Sequence, residues 1–194
     1  MSAEPLLPGG SWPEEEPRAE LHRLWAGWKL GTYGTGLGAD GQPHANLPRG
    51  DGLSLFETIE RSGLSDDVTY VVWRGVNTFV ILNVFPYTSG HVMVLPTVAR
   101  PSIHDLDDVV HDELWRTVRL ASRAIQDAFR PQGMNIGINE GMAGGGSEPD
   151  HLHVHVVPRW TADTNFMTAT GSTRVLPQTL RDTWANLVAA WPVD

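Results

Sequence analysis

Short runs of alternating apolar and polar residues punctuate this chain, and between them the spacing changes to that of helices. Residues 151–158 read His-Leu-His-Val-His-Val-Val-Pro. Leu152, Val154 and Val156 alternate with His151, His153 and His155, which predicts a strand with one apolar face and three imidazoles on the other. At a rise of ~3.3 Å per residue the imidazoles are expected roughly 6.5 Å apart. Pro158 cannot donate to a ladder, so the strand is expected to end there. Thr69–Trp73 and Thr78–Asn83 are β-rich runs around Arg74-Gly75-Val76-Asn77, a hairpin signal. Phe85–Gly90 turns the chain into Val92-Met93-Val94-Leu95, and Met134, Ile136 and Ile138 alternate up to Asn139. Strands joined this closely must run antiparallel, because parallel neighbours need long crossovers.

Helical spacing appears in three places. Leu21, Leu24, Trp25 and Trp28 predict a short helix near the N-terminus. The acidic run Asp105–Asp108 opens a longer one, in which Leu114, Val118, Ala121, Ile125, Ala128 and Phe129 form one apolar stripe. Its stripe is expected to cover one sheet face, and Arg130-Pro131-Gln132-Gly133 to end it. Leu176–Trp191 reads as a last amphipathic helix with Leu180, Trp184, Leu187 and Val188 inward, while 160–171 reads as irregular. The class expected is α+β: an antiparallel sheet of about five strands with helices packed on it. Boundaries are expected at 1–52 for a Gly/Pro-rich acidic extension, 53–160 for the core domain, and 161–194 for a segment and helix packed on that core.

Composition narrows the class of partner. A chain of 194 residues with 41% apolar and 19% charged residues has enough for one full core. The formal charge of −9 argues against a sequence-independent nucleic-acid binder, which needs a basic surface to displace counterions. No apolar run reaches the ~18 residues of a membrane span, and the Glu-rich N-terminus is not a signal peptide. With zero cysteines there is no disulfide framework, which suits the cytoplasm.

Three titratable side chains on one strand face invite two chemistries. A His-x-His pair can grip a metal ion with two ring nitrogens. Alternatively, one neutral imidazole attacks phosphorus while its neighbours supply protons and positive charge. Gly144-Gly145-Gly146-Ser147, four residues upstream, offers backbone N–H groups and a hydroxyl of the kind that cradle an anion. The metal reading is the weaker, because the residues after His155 bring neither a carboxylate at cupin spacing nor a further histidine.

His151-Leu152-His153-Val154-His155-Val156-Val157 resembles the motif of the histidine triad (HIT) family of nucleotide-binding hydrolases and transferases. Asn139-Glu140-Gly141, the glycine loop, and Asn83 through Gly90-His91 to Pro96 are similar to that family in the same order. Leu24-Trp25, Trp160, and Asn165-Phe166 through Val175-Leu176-Pro177 are most similar to its actinobacterial diadenosine tetraphosphate phosphorylase branch. The resemblance implies a HIT-like fold and a nucleotidyl-histidine intermediate on His153. His155 and His151 are implied as donors to phosphate oxygens, and His91 as the histidine that orients the triad. It further implies Asn83 on ribose, Asn139, Gly145, Gly146 and Ser147 on phosphate or ribose, and Trp160 on a base or a second phosphate. Where many family members carry the Cys-x-x-Cys of a structural zinc site, this chain has Ser54-Leu55-Phe56-Glu57. No such zinc, and no metal at the site, is expected.

The activity implied is phosphorolysis of diadenosine tetraphosphate to ATP and ADP, with inorganic phosphate as co-substrate and no cofactor. Phosphorylases of the fungal branch end the motif in Gln, whereas this chain keeps His155, as the hydrolases do. Hydrolysis of dinucleoside polyphosphates or of phosphoramidates is therefore the alternative, and a nucleotide-binding regulatory protein a second. A homodimer that joins its sheets, or a larger homo-oligomer, is the expected assembly.

Overall fold

The computed structural model describes residues 52–146, 148–164, 166–171 and 176–192. The helix expected around Trp25, and most of the N-terminal extension, lie outside the described residues. Among the described residues two short helices come first, α1 (Leu55–Glu60) and α2 (Asp66–Thr69). Tyr70 then turns through a left-handed conformation (φ 58°) into β1 (Val71–Arg74), so the strand starts two residues later than the β-rich run predicts. β2 (Thr78–Leu82) and β3 (Val92–Pro96) follow. A 3₁₀ turn (Ile103–Asp105) leads to the long helix α3 (Asp108–Phe129), and then come β4 (Gly133–Ile138) and β5 (Val154–Arg159). The chain continues through α4 (Phe166–Gly171) and α5 (Leu180–Ala189). The five strands make one sheet in the order β1-β2-β3-β5-β4, every pair antiparallel.

Alternation along β2, β3 and β5 sorts two cores onto opposite faces. Val80, Leu82, Val92, Val94, Val154 and Val156 meet Leu114, Val118, Ala121 and Ile125 of α3. Phe79, Ile81, Met93 and Leu95 point the other way and meet Phe56 and Ile59 of α1. Leu114, Ile125 and Leu95 are completely buried, so truncating any one to alanine costs about 2–5 kcal/mol. The carboxylate of Glu113 ties α3 to the first hairpin, accepting from the backbone N–H of Asn77 and Thr78 and from both their side chains. Burial raises its pKa, but those bonds outweigh it and hold the group below its ordinary value.

Four expectations need correction. The 160–171 stretch is not wholly irregular, since α4 forms from Phe166. Val188 points outward at 39% exposed, whereas Leu187 is buried. The last helix begins at Leu180, where Thr179 caps it by accepting from the Asp182 N–H. Finally, β5 passes through Pro158 to Arg159, with Pro158 opposite Met134. The Pro158 carbonyl faces away from β4 and accepts from the Thr88 hydroxyl, on the side where β3 pairing has already ended at Val156. The missing N–H is therefore not missed.

Candidate active site

β5 begins at Val154, three residues later than the alternation predicts, so of the three histidines only His155 sits in the ladder. Contacts with Phe56 place His151 and His153, in the segment leading into β5, on the α1 side of the sheet, and His91, just before β3, lies beside His155. The rings of His153 and His155 lie 4.8 Å apart, those of His91 and His155 5.1 Å. The first pair is closer than strand rise alone predicts, and the two rings meet edge to face at 82°. Phe56 of α1 packs against both His151 and His153, at 5.6 and 5.5 Å. His91 and His151 are completely buried and His153 is 5% exposed.

Hydrogen-bond partners define which nitrogen of each neutral ring carries its proton. His151 Nε2 lies 2.8 Å from the Pro96 carbonyl oxygen, which only accepts, so Nε2 is protonated. The Ser54 hydroxyl then donates to His151 Nδ1 at 2.6 Å. His153 Nδ1 lies 2.9 Å from the carbonyl oxygen of His151, which places its proton there and the lone pair on Nε2. The Tyr87 backbone N–H donates to His91 Nδ1 at 3.1 Å, so the proton of that ring is on Nε2. His91 Nε2 in turn donates to His155 Nδ1 at 2.9 Å, and the remaining proton of His155 sits on Nε2. A lone pair and an N–H thus stand side by side on adjacent rings.

Both nitrogens of His151 are already bonded within the chain. As a donor to a phosphate oxygen, the role its family resemblance implied, it has no hydrogen to give. Its contribution is the backbone carbonyl that orients His153. Burial lowers its pKa, against the bond to Pro96 and the charge of Glu57, which raise it. Ser54 and Glu57, where the resemblance implied a Cys-x-x-Cys in other family members, form a capping box on α1. Ser54 Oγ accepts from the Glu57 N–H and Glu57 accepts from the Ser54 N–H. Burial raises the Glu57 pKa, but bonds from the N–H groups of Ser54 and Ala99, with Arg61 and His151 nearby, outweigh it and hold the carboxyl below its ordinary value. Ser-x-x-Glu, here enclosing Leu55 and Phe56, is a readable helix-start signal, and it is the one that leads to Ser54.

The other expected residues divide. The Asn83 amide lies 3.4 Å from His91 Nδ1, while its Oδ1 accepts from the Phe85 N–H. Asn139, just past β4, lines a groove of about 370 Å³ with His155, Gly137, Asn135, Arg159 and Tyr87. Trp160 is not in that groove. It lines a neighbouring cavity, and its backbone N–H bonds to Asp163. The glycine loop folds back on itself: Gly145 N–H donates to the Met142 carbonyl and Gly146 N–H to that of Gly141, each at 3.1 Å. A side chain at Gly146 would meet the Asn139 carbonyl oxygen at 2.9 Å. The amides expected to cradle an anion are therefore engaged inside the turn, and Ser147 lies outside the described residues. Glu140 anchors the start of this loop by accepting from the Ser102 hydroxyl and the Ile103 N–H.

Arg159 lines the groove, held by both oxygens of Asp163 at 2.6 and 2.8 Å and donating to Asn135 Oδ1. The guanidinium holds the Asp163 carboxyl far below the ordinary carboxylate range. Among the described residues, no three His, Cys, Asp or Glu side chains are disposed to share a metal ion. No helix among them is long and apolar enough to cross a membrane.

The HIT domain family matches residues 68–162. The AP-4-A phosphorylase of Mycobacterium tuberculosis (strain ATCC 25618 / H37Rv) is 38% identical over 174 residues, covering 90% of this chain and 86% of that protein. An asymmetrical bis(5'-nucleosyl)-tetraphosphatase of Schizosaccharomyces pombe is 36% identical over 93 residues, 48% of this chain and 50% of that one. Among solved structures, a Zn-bound histidine triad family protein of Mycobacterium smegmatis superposes with a TM-score of 0.59 at 25% identity. That match covers 73% of this chain and 94% of that one.

Proposed function

This chain belongs to the histidine triad family, and from that premise we propose that it cleaves diadenosine tetraphosphate by phosphorolysis through a nucleotidyl-histidine. His153 Nε2 attacks the α-phosphorus. The P–O bond to the remaining triphosphate breaks, and the departing oxygen of ATP takes the proton from His155 Nε2. An oxygen of inorganic phosphate then attacks the same phosphorus, the P–N bond breaks to release His153 Nε2, and ADP leaves as a phosphate proton returns to His155 Nε2. No cofactor enters, because the histidines supply both the nucleophile and the proton.

The observation that carries this reading is the set of tautomers. The carbonyl of His151 turns the lone pair of His153 to Nε2, and the chain from Tyr87 through His91 turns the N–H of His155 to Nε2. Asn83 beside His91 is assigned to the ribose of the attacked nucleotide, and Asn139 beside His155 to the phosphates. Similarity to the M. tuberculosis phosphorylase over most of both chains supports phosphate as the acceptor. Two features favour water instead. His155 stands where fungal phosphorylases have Gln, and the Gly145 and Gly146 amides are engaged within their turn. Asymmetrical hydrolysis to ATP and AMP is accordingly the second reading.

Incubating the protein with diadenosine tetraphosphate, with and without inorganic phosphate, and separating the nucleotides tests both. ATP plus ADP formed only with phosphate establishes phosphorolysis; ATP plus AMP regardless of phosphate establishes hydrolysis. No cleavage under either condition overturns the enzyme reading. A cytoplasmic homodimer is part of the same proposal. β4 ends the sheet with an open edge and Ile136 45% exposed, which suits pairing with a second copy.

A further inference from the structure

The groove beside His155 does not end at Arg159. Tyr87, Thr88 and Asp163 line it, and the same three residues line a second and larger cavity of about 700 Å³. The two spaces share a wall, and the Tyr87 ring is 5.9 Å from that of His155. Phe129 from the last turn of α3 and Trp160 from beyond β5 face into the larger one with Tyr87, and Ala128 completes the α3 side. Nothing in the reaction described above uses this cavity.

Three observations say what it takes. Its volume falls in the range of small-molecule pockets, roughly 300–1,000 Å³. Its aromatic residues, Tyr87, Phe129 and Trp160, are the kind on which a planar base stacks. Its one buried orphan is polar: the Ser89 hydroxyl lines the cavity and has no hydrogen-bond partner among the described residues. A buried hydroxyl without a partner calls for a ligand edge that supplies one. The backbone also keeps the cavity shaped. Gly90 is held at φ +86°, and a side chain there would meet the Phe129 ring at 2.8 Å and Pro158 at 3.2 Å. Asp163 does not oppose an anionic ligand, because Arg159 neutralises it.

We propose that this cavity binds the purine of the departing nucleotide, with the phosphate chain running from His155 along the β4–β5 groove. The inference rests on the dinucleotide cleavage proposed above. It follows from the placement of the two ends. Asn83 lies on the β2 side of His91, where the attacked nucleoside is assigned, so the rest of the substrate extends across β5 toward β4. Gly137 stands opposite His155 in that register, and the space beside it is open. The cavity makes the enzyme selective for substrates with a nucleoside at each end over single-nucleoside polyphosphates.

The test compares diadenosine tetraphosphate with adenosine 5'-tetraphosphate, which presents the same α-phosphorus but lacks the second nucleoside. Ala128→Trp fills the cavity from α3 and is expected to lower the ratio of the two kcat/KM values by about tenfold, the scale of one base stacked on an aromatic side chain. Ser89→Ala, too small a change to unfold the chain, lowers the same ratio by a few-fold. Equal losses on both substrates, or an unchanged ratio in both variants, overturn the proposal. If the unmodified protein cleaves neither compound, the parent reading fails and takes this one with it. If it cleaves both but prefers neither, only the cavity assignment falls.

Discussion

His151 and His155 stand two residues to either side of His153, and the fold treats them in opposite ways. His151 is sealed under α1, with Ser54 on one nitrogen and the Pro96 carbonyl on the other. His155 is half-buried at the head of an open groove, with its Nδ1 accepting in the chain from His91. Motif alternation makes the two look equivalent. The difference lies in what packs over each: a helix closes one end of the triad, while Gly137 leaves the other open. In the proposed reaction the closed end sets geometry and the open end moves a proton.

The sharpest break is at the centre. His153→Ala removes the attacking lone pair, and turnover of diadenosine tetraphosphate is expected to fall on the order of 10⁴-fold or more. Retained cleavage would remove the nucleophile and with it the meaning of either flank. His155→Asn keeps a polar group but no relayed proton, with an expected loss of about 10²–10⁴-fold. That loss should shrink for an adenylate ester whose leaving group needs no proton, such as a nitrophenolate. An equal loss on both substrates would mean that His155 does not act as the acid.

Much of this was legible in the sequence, and the residues show why the rest was not. Alternation placed β4 and β5, β-rich and apolar runs between turn signals placed β1, β2 and β3, and period 3.6 placed the α3 stripe. Alternation also put three imidazoles on one face. It could not tell His151 from His155, since what covers each residue comes from nearly a hundred positions away at Ser54, or from the opposite strand at Gly137. The Gly144–Gly146 run was readable as a turn. Whether its amides point outward or bond to Gly141 and Met142 depends on backbone angles that a glycine triplet leaves undetermined. Pro158 misled because the rule against proline applies to strands paired on both sides, and there β5 is paired on one.

A smaller effect probes the closed flank. Ser54→Ala leaves the buried His151 Nδ1 without its donor and uncaps α1, at an expected cost of about 1–3 kcal/mol of stability. Through the shifted His151 carbonyl, kcat should fall about tenfold with KM unchanged, the pattern of a group felt mainly in the transition state. Ser54→Thr, which keeps a capping hydroxyl, should recover most of both. A rise in KM with kcat intact would place Ser54 in binding instead.

The smallest effect is on stability against pH. Burial holds the His151 pKa below its ordinary value of 6.5, so the native chain takes up this proton later than the unfolded chain does. Between the ordinary value and the depressed one, the unfolded state binds more protons, and the stability present at higher pH is lost as pH falls through that window. Urea midpoints measured from about pH 8 down to about pH 5 should therefore decline in the unmodified protein. His151→Asn is less stable throughout, yet its decline should be shallower, because the group that resists protonation has gone. Parallel curves for the two proteins would show that His151 is not held neutral by its enclosure, and the contrast between a sealed and an open flank would lose its physical basis.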